Sequence, residues 1–209
     1  EALLPLDAPL SIDTRSARVA AACLAAGASW INDVSALSDP AMAPTVAAAG
    51  ADLCLMHSRG TPADMQRRTG YRHLLGEVID ELAGRCRLAL AAGVAPARIQ
   101  VDPGIGFAKD AEQSLALLGR CGALRGLGFP LLVGPSRKSC LVAALGERPP
   151  RQRDAGSAGV AALAAAQGAA WLRLHRGGEL WDAVLAAAAA GAAARVLRPA
   201  EDAVPEVTG

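Results

Sequence analysis

The stretch IQVDPGIGFAKD, residues 99–110, sets a carboxylate, Asp102, at the end of a β-branched run and follows it with a proline and two glycines. A strand needs no acid at its end to fold, and glycine lets backbone approach a ligand closely. Other short apolar runs end in the same way. SID ends in Asp13, IND holds Asn32 and Asp33, MHSRG holds Met56, His57 and Arg59, GPSRK holds Ser136, Arg137 and Lys138, and RLH holds Arg173 and His175. The opposite ends of these runs carry Gly, Ala, Pro and Ser. Asp13, Asn32 and Asp102, read as buried acceptors, suit the N–H groups of a flat heterocycle. A carboxylate across a guanidine-like edge makes a paired, charge-assisted contact. Met56 and Phe107 offer apolar surface to a ring. Arg173, His175 and the SRK cluster supply positive charge for an anion such as a phosphate. This set of groups suits transfer from a heterocycle that bears a phosphate or pyrophosphate.

Each residue alone also has a plainer role. Asp13 could cap a helix starting near Ser16, Asn32 could serve a turn, and a single His175 is a weak signal; His57 and His73 carry less weight still. Arg137 and Lys138 at a helix start are unfavourable unless an anion is near. A shared site accounts for the coincidence at six strand ends better than six separate accidents. Other chemistries find no support. GIGFAKD has neither the spacing nor the final hydroxyl of a phosphate-binding GxxxxGK[ST] loop, and Lys109 stands where GxGxxG needs its third glycine. HExxH and GxSxG are absent, and no Cys–His pairing suggests a nucleophile.

The elements that position these groups follow a repeated grammar. AAGASWIND (25–33), AAGADLCLMH (48–57) and AQGAAWLRLH (166–175) each end an Ala-rich helix, spend a glycine on the cap and run into apolar residues. The pattern predicts strands at 10–12, 30–34, 53–56, 99–101, 131–133 and 171–174. Helices are expected at 16–26, 41–49, 71–92, 112–119, 138–145, 155–167 and 179–195. Alternating strands and helices with apolar strand cores imply a parallel sheet covered by helices. Six units leave open both a doubly wound sheet and a (β/α) barrel two units short of closure. The expected domain runs over 1–197, with a frayed polar tail at 198–209.

With 209 residues, 52% of them apolar and a net charge of +1, the chain reads as a globular protein with no basic excess for nucleic acid and no charge run for a membrane surface. The longest apolar stretches, 158–166 and 183–194, are too short to span a bilayer. No signal peptide is read at residues 1–10, and five scattered cysteines argue for reduced thiols in the cytoplasm. Cys54 is expected to be a core residue.

SIDTRSARVA, GASWINDVSAL, LMHSRGTPADMQ, VDPGIGFAKD, LVGPSRKS and LRLH together resemble the dihydropteroate synthases of the pterin-binding family, in register over nearly the whole chain. The resemblance implies a TIM-type (β/α)8 barrel, here incomplete with about six units. It implies condensation of 6-hydroxymethyl-7,8-dihydropterin pyrophosphate with p-aminobenzoate to give 7,8-dihydropteroate and pyrophosphate. Asp102 would hold the amino-pyrimidine edge, Asn32 and Asp13 the other ring nitrogens, and Lys138 the carbonyl side. Met56 and Gly106 would line the ring, with Phe107, Lys138 and the segment from Ser136 near the aminobenzoate. Arg173, His175 and Arg137 would hold the pyrophosphate, which would carry Mg²⁺. Asp13, Lys138, Arg173 and His175 would be the catalytic groups, and the enzyme would be a cytoplasmic homodimer. The resemblance has three departures. The family's opening NVTPDSFSDGG- and GGESTRPG-type loops have no counterpart in the sequence, which suggests a fragment, or a gap covered by a partner chain, with the pterin pocket whole and the second-substrate and metal sites incomplete. Arg176 stands where the family usually has an acid, and Cys140 where a larger apolar residue is usual. A non-catalytic pterin-binding paralogue and a methyltetrahydrofolate-dependent methyltransferase are the alternatives.

Overall fold

The structure, a computed structural model, describes residues 8–196; the expected tail at 198–209 lies outside them. Six strands alternate with helices: β1 (Ser11–Asp13), β2 (Trp30–Asp33), β3 (Asp52–Met56), β4 (Ile99–Asp102), β5 (Leu132–Val133) and β6 (Trp171–Leu172). The helices are α1 (Ala17–Ala25), α2 (Met42–Ala49), α3 (Leu74–Ala91), α4 (Ala111–Gly119), α5 (Val142–Leu145), α6 (Asp154–Ala166) and α7 (Glu179–Val196). Each expected element is present, with ends displaced by a few residues. The region expected to form a helix at 138–145 begins as a 3₁₀ turn, Ser139–Leu141, before α5.

All pairings are parallel, and β1 to β4 follow in sequence order, as do β5 and β6. A single bridge, Val101 to Leu131, joins the two groups. It is reinforced by Val101 N–H donating to the Pro130 carbonyl at 3.0 Å. The strands therefore form one arc in chain order, the order of a (β/α) barrel and not of a doubly wound sheet. β1 and β6 stand at its ends, each with one edge that has no strand partner among the described residues. Those ends face each other: Arg173, just past β6, reaches Asp13 of β1 at 2.6 and 2.8 Å, and Trp171 of β6 packs edge-to-face on Trp30 of β2 with ring centroids 4.8 Å apart.

Side-chain parity divides the two faces. Ile31, Leu53, Leu55, Ile99, Val101, Leu131 and Val133 point outward into the main apolar cluster, against Val46, Val78, Leu82, Leu117 and Leu124 from the helical layer. The register pairs Asp13 with Asn32, Asn32 with Cys54, and Cys54 with Gln100, all on the inner face. The expectation of uniformly apolar strand cores thus holds for the middle of β3 but fails for β2 and β4. There inward positions are polar, because the arc encloses a cavity rather than a packed interior. Cys54 is fully buried, as expected, and all five cysteines are free. No helix among the described residues is long and apolar enough to cross a membrane.

Helix α1 does not take Asp13 as its cap. Its first free N–H, on Ala17, donates to Asp39 Oδ2 at 2.8 Å, from the loop after β2. Asp110 and Gln113 close a full capping box on α4, with bonds of 2.8 and 3.1 Å.

Candidate active site

The carboxyl ends of the strands surround a cavity of about 390 Å³ lined by Asp13, Asn32, Met56, Asp102, Phe107 and Lys138, among others. Ser136, Arg173 and His175 complete its polar wall, and Val34, Ile105, Gly134 and Leu174, which the sequence did not single out, complete its apolar one. Of the residues proposed from sequence, Gly106 and Arg137 do not line it. Gly106 lies in the loop behind Lys138, with φ at +79°. Arg137 is turned aside: its guanidinium makes a two-bond pair with Asp154 at the start of α6, at 2.7 and 2.9 Å. The Asp154 carboxyl is held below its usual range by Arg137 first and by Arg176 and His175 further off, so Asp154 answers the cations of this corner.

Asp102 and Asn32 form the deep wall. Both are 5% exposed. Asp102 Oδ1 accepts the Gly104 N–H at 2.7 Å, which leaves Oδ2 for the cavity. Burial pushes the carboxyl up to about 6, against the Gly104 N–H and the charges of Lys138, Lys109 and Arg173, which act to lower it. Asn32 donates through Nδ2 to Asp13 Oδ1 at 2.8 Å, and its own Oδ1 is buried without a partner. An orphan acceptor at this depth is costly unless a ligand N–H completes it.

Asp13 was expected to be buried, and it is not. Its side chain is 43% exposed, because β1 has no strand partner on its outer edge among the described residues. Its carboxylate takes two bonds from Arg173, of 2.6 and 2.8 Å. Lys138 sits 4.4 Å from the centre of the Phe107 ring, and burial lowers its ammonium, opposed by the Asp102 carboxylate. Ser136 Oγ accepts the His175 N–H at 3.1 Å and lies 2.9 Å from Nδ1.

The loop after β4 explains its glycines. A Cβ on Gly104 would stand 1.9 Å from the His57 carbonyl oxygen, and φ is +67°; no other residue fits. Beneath the loop lies a cluster that sequence reading underweighted. His57 and Arg59 follow an inward Met56, so His57 faces outward to α3. There His57 Nε2 lies 3.1 Å from Glu81, and Arg59 pairs with Glu81 and Glu77. Lys109 is 2% exposed and reaches His57 Nδ1 at 2.9 Å. A lysine in a glycine-rich segment read only for phosphate binding gave little sign of this buried role.

An arc of parallel strands whose rim cavity gathers buried acceptors and cations defines a barrel-type protein with a polar site at the carboxyl ends of its strands. Residues 2–175 match the family described as pterin binding enzyme, and the chain belongs to it. It is 45% identical to a dihydropteroate synthase of Synechocystis sp. over 171 residues, covering 81% of this chain and 59% of the relative. A dihydropteroate synthase of Mycobacterium leprae is 43% identical over 173 residues, covering 79% and 61%. Dihydropteroate synthase from Thermus thermophilus in complex with 6HMPPP superposes with a TM-score of 0.83 at 37% identity, covering 92% of this chain and 74% of that one. The same enzyme with 4-aminobenzoate gives 0.82, covering 92% and 76%. The chain spans about three fifths of the length of these two curated relatives.

Proposed function

We propose that the chain binds a pterin pyrophosphate in the rim cavity and serves dihydropteroate synthesis. The observation that carries this reading is the division of the cavity wall. The acceptors of Asn32 and Asp102 are buried, with Asn32 Oδ1 unpartnered, Lys138 is half-buried within reach of the Asp102 charge, and Arg173 and His175 are exposed. Asp102 accepts from the amino-pyrimidine edge, and Asn32 Oδ1 accepts a ring N–H. Phe107 and Met56 flank the apolar faces. The methylene carbon loses its bond to pyrophosphate, whose oxygen keeps the electron pair. The amine of p-aminobenzoate then bonds to that carbon and gives up a proton. Asp13 and Asp102 stabilise positive charge developing on the pterin, while Arg173, His175 and Lys138 stabilise the departing anion.

Arg173 suits that task because its pair with Asp13 is solvent-exposed on both sides, at 59% and 43%. Such pairs contribute only about 0–1 kcal/mol, so the guanidinium can turn to an anion at little cost. Arg137 would join it only by leaving Asp154. Among the described residues, no three His, Cys, Asp or Glu side chains converge on a metal position. Mg²⁺ would therefore be carried by pyrophosphate oxygens and water, and none of the steps above depends on it.

The cytoplasm and a homodimer complete the proposal. The test is calorimetry with 6-hydroxymethyl-7,8-dihydropterin pyrophosphate, followed by p-aminobenzoate and Mg²⁺ with chromatography for dihydropteroate. Binding with turnover supports the synthase. Binding without turnover limits the chain to a pterin-binding role, and no binding ends the reading.

A further inference from the structure

On the helix side of β3 and β4, behind Asp102, Lys109 and His57 form a buried pair, each 2% exposed, which Glu81 of α3 closes from the solvent side; none of the three lines the rim cavity. Lys109 Nζ donates to the carbonyls of Gly104 at 3.2 Å and Phe107 at 2.9 Å, and to His57 Nδ1 at 2.9 Å. All three ammonium protons are thereby used. A carboxylate cannot donate, so the 3.1 Å contact to Glu81 places the His57 proton on Nε2. That tautomer leaves Nδ1 free to accept from Lys109. The same histidine donates its backbone N–H to the Asp102 carbonyl at 2.8 Å.

The pair is expensive for the fold. Burial drives the Lys109 ammonium down to about 7. It likewise drives the His57 imidazole down to about 4, with the Lys109 charge adding to it. A short loop can satisfy two carbonyls with water or a hydroxyl at lower cost. What the ammonium adds is rigidity at one place. It ties together both ends of the segment that carries Asp102 and Phe107, and the His57–Glu81 pair anchors it to α3.

We propose that Lys109, oriented by His57 and Glu81, is a positioning residue that holds the 102–108 loop so that Asp102 and Phe107 meet the ring of the ligand. The inference rests on the pterin reading for its consequence, but the clamp can be tested without ligand. Hydrogen exchange of the Gly104, Gly106 and Phe107 amides in the full chain is the first measurement. Lys109→Met is expected to speed their exchange at least about tenfold while amides in β2 and β3 stay protected. The second measurement is affinity for 6-hydroxymethylpterin. Lys109→Met is expected to weaken it about tenfold, the scale of one charge-assisted hydrogen bond. The double variant with Asp102→Asn is expected to bind within about twofold of Asp102→Asn alone, because both changes disable one device. Loop exchange like the wild type, or fully additive affinity losses, would overturn the proposal. A wild-type chain that binds no pterin defeats the functional reading and leaves the exchange result to decide the clamp. If Lys109→Met does not fold, Glu81→Ala cuts the anchor from its outer end. Unchanged loop exchange in that variant overturns the proposal equally.

Discussion

Asp102→Asn separates what this carboxylate does for the ligand from what it does to the fold. The buried group ionises at about 6 instead of 3.8, a gap that amounts to about 3 kcal/mol against the folded state at neutral pH. Its sign follows from the raised value: the native state holds the proton longer, so stability falls as pH rises from about 4 through about 6. Asparagine keeps an acceptor for the Gly104 N–H, now made at 2.7 Å, and carries no charge to desolvate. The apo variant is therefore expected to match or exceed the wild type at pH 7.5 in urea melts, by up to about 3 kcal/mol. Pterin affinity is expected to move the other way. The variant offers an N–H where the ligand also presents donors, so one charge-assisted bond is lost, about 1.5–3 kcal/mol. Calorimetry should read that as a rise in Kd of about tenfold to a little over a hundredfold. A variant that is less stable and binds pterin unchanged would refute the reasoning, because Asp102 would then be a structural group.

Other consequences are as direct. Gly104→Ala puts a methyl 1.9 Å from the His57 carbonyl at positive φ; a loss of about 3 kcal/mol or more is expected in denaturant melts. Arg173→Ala is expected to leave stability within about 0.5 kcal/mol, because its pair with Asp13 is exposed, while weakening pyrophosphate binding at least about tenfold in competition assays. The depressed Lys109 value means that the unfolded chain binds more protons between about 7 and 10.5. Wild-type stability should therefore rise with pH across that window, and the rise should be smaller in Lys109→Met when melts at pH 7.5 and 9.5 are compared.

The strands and helices were legible because glycine caps and apolar runs are local signals; the strand–helix pattern alone left the barrel as one of two options, and the family resemblance chose it. In the structure the Val101–Leu131 bridge carries that order, a non-local pairing that no spacing announces. The site residues could be read from their shared place at strand ends, since parallel strands bring those ends to one rim. Three things could not be read there. Asp13 is exposed because β1 has no strand partner on its outer edge among the described residues, Arg137 is spent on Asp154, and His57 points to the helices because Met56 before it points inward. Each depends on which face or neighbour a side chain meets, and residue type does not fix that. Arg176 was noted as a departure from the family; its charge acts weakly on Asp154 of α6, whose carboxylate is paired with Arg137.

The inner and outer faces of the sheet carry different kinds of energy, and proton exchange on binding can read the inner one. Outward residues such as Leu55 and Val101 are fully buried among apolar neighbours, so they stabilise the fold whether or not ligand is present. Inward groups are held at a disadvantage: Asn32 Oδ1 lacks a donor, Asp102 is pushed up and Lys138 is pushed down. A ring that gives N–H groups to Asp102 favours its ionised form and lowers its pKa. Binding 6-hydroxymethylpterin at pH 6, near the free-state value of about 6, should then release up to about half a proton. The release should vanish at pH 8, where Asp102 is already ionised. Titrations in buffers of different ionisation enthalpy measure it directly, and Asp102→Asn should abolish it. Equal release at pH 6 from wild type and variant would show that the proton comes from elsewhere and that the ring does not engage Asp102.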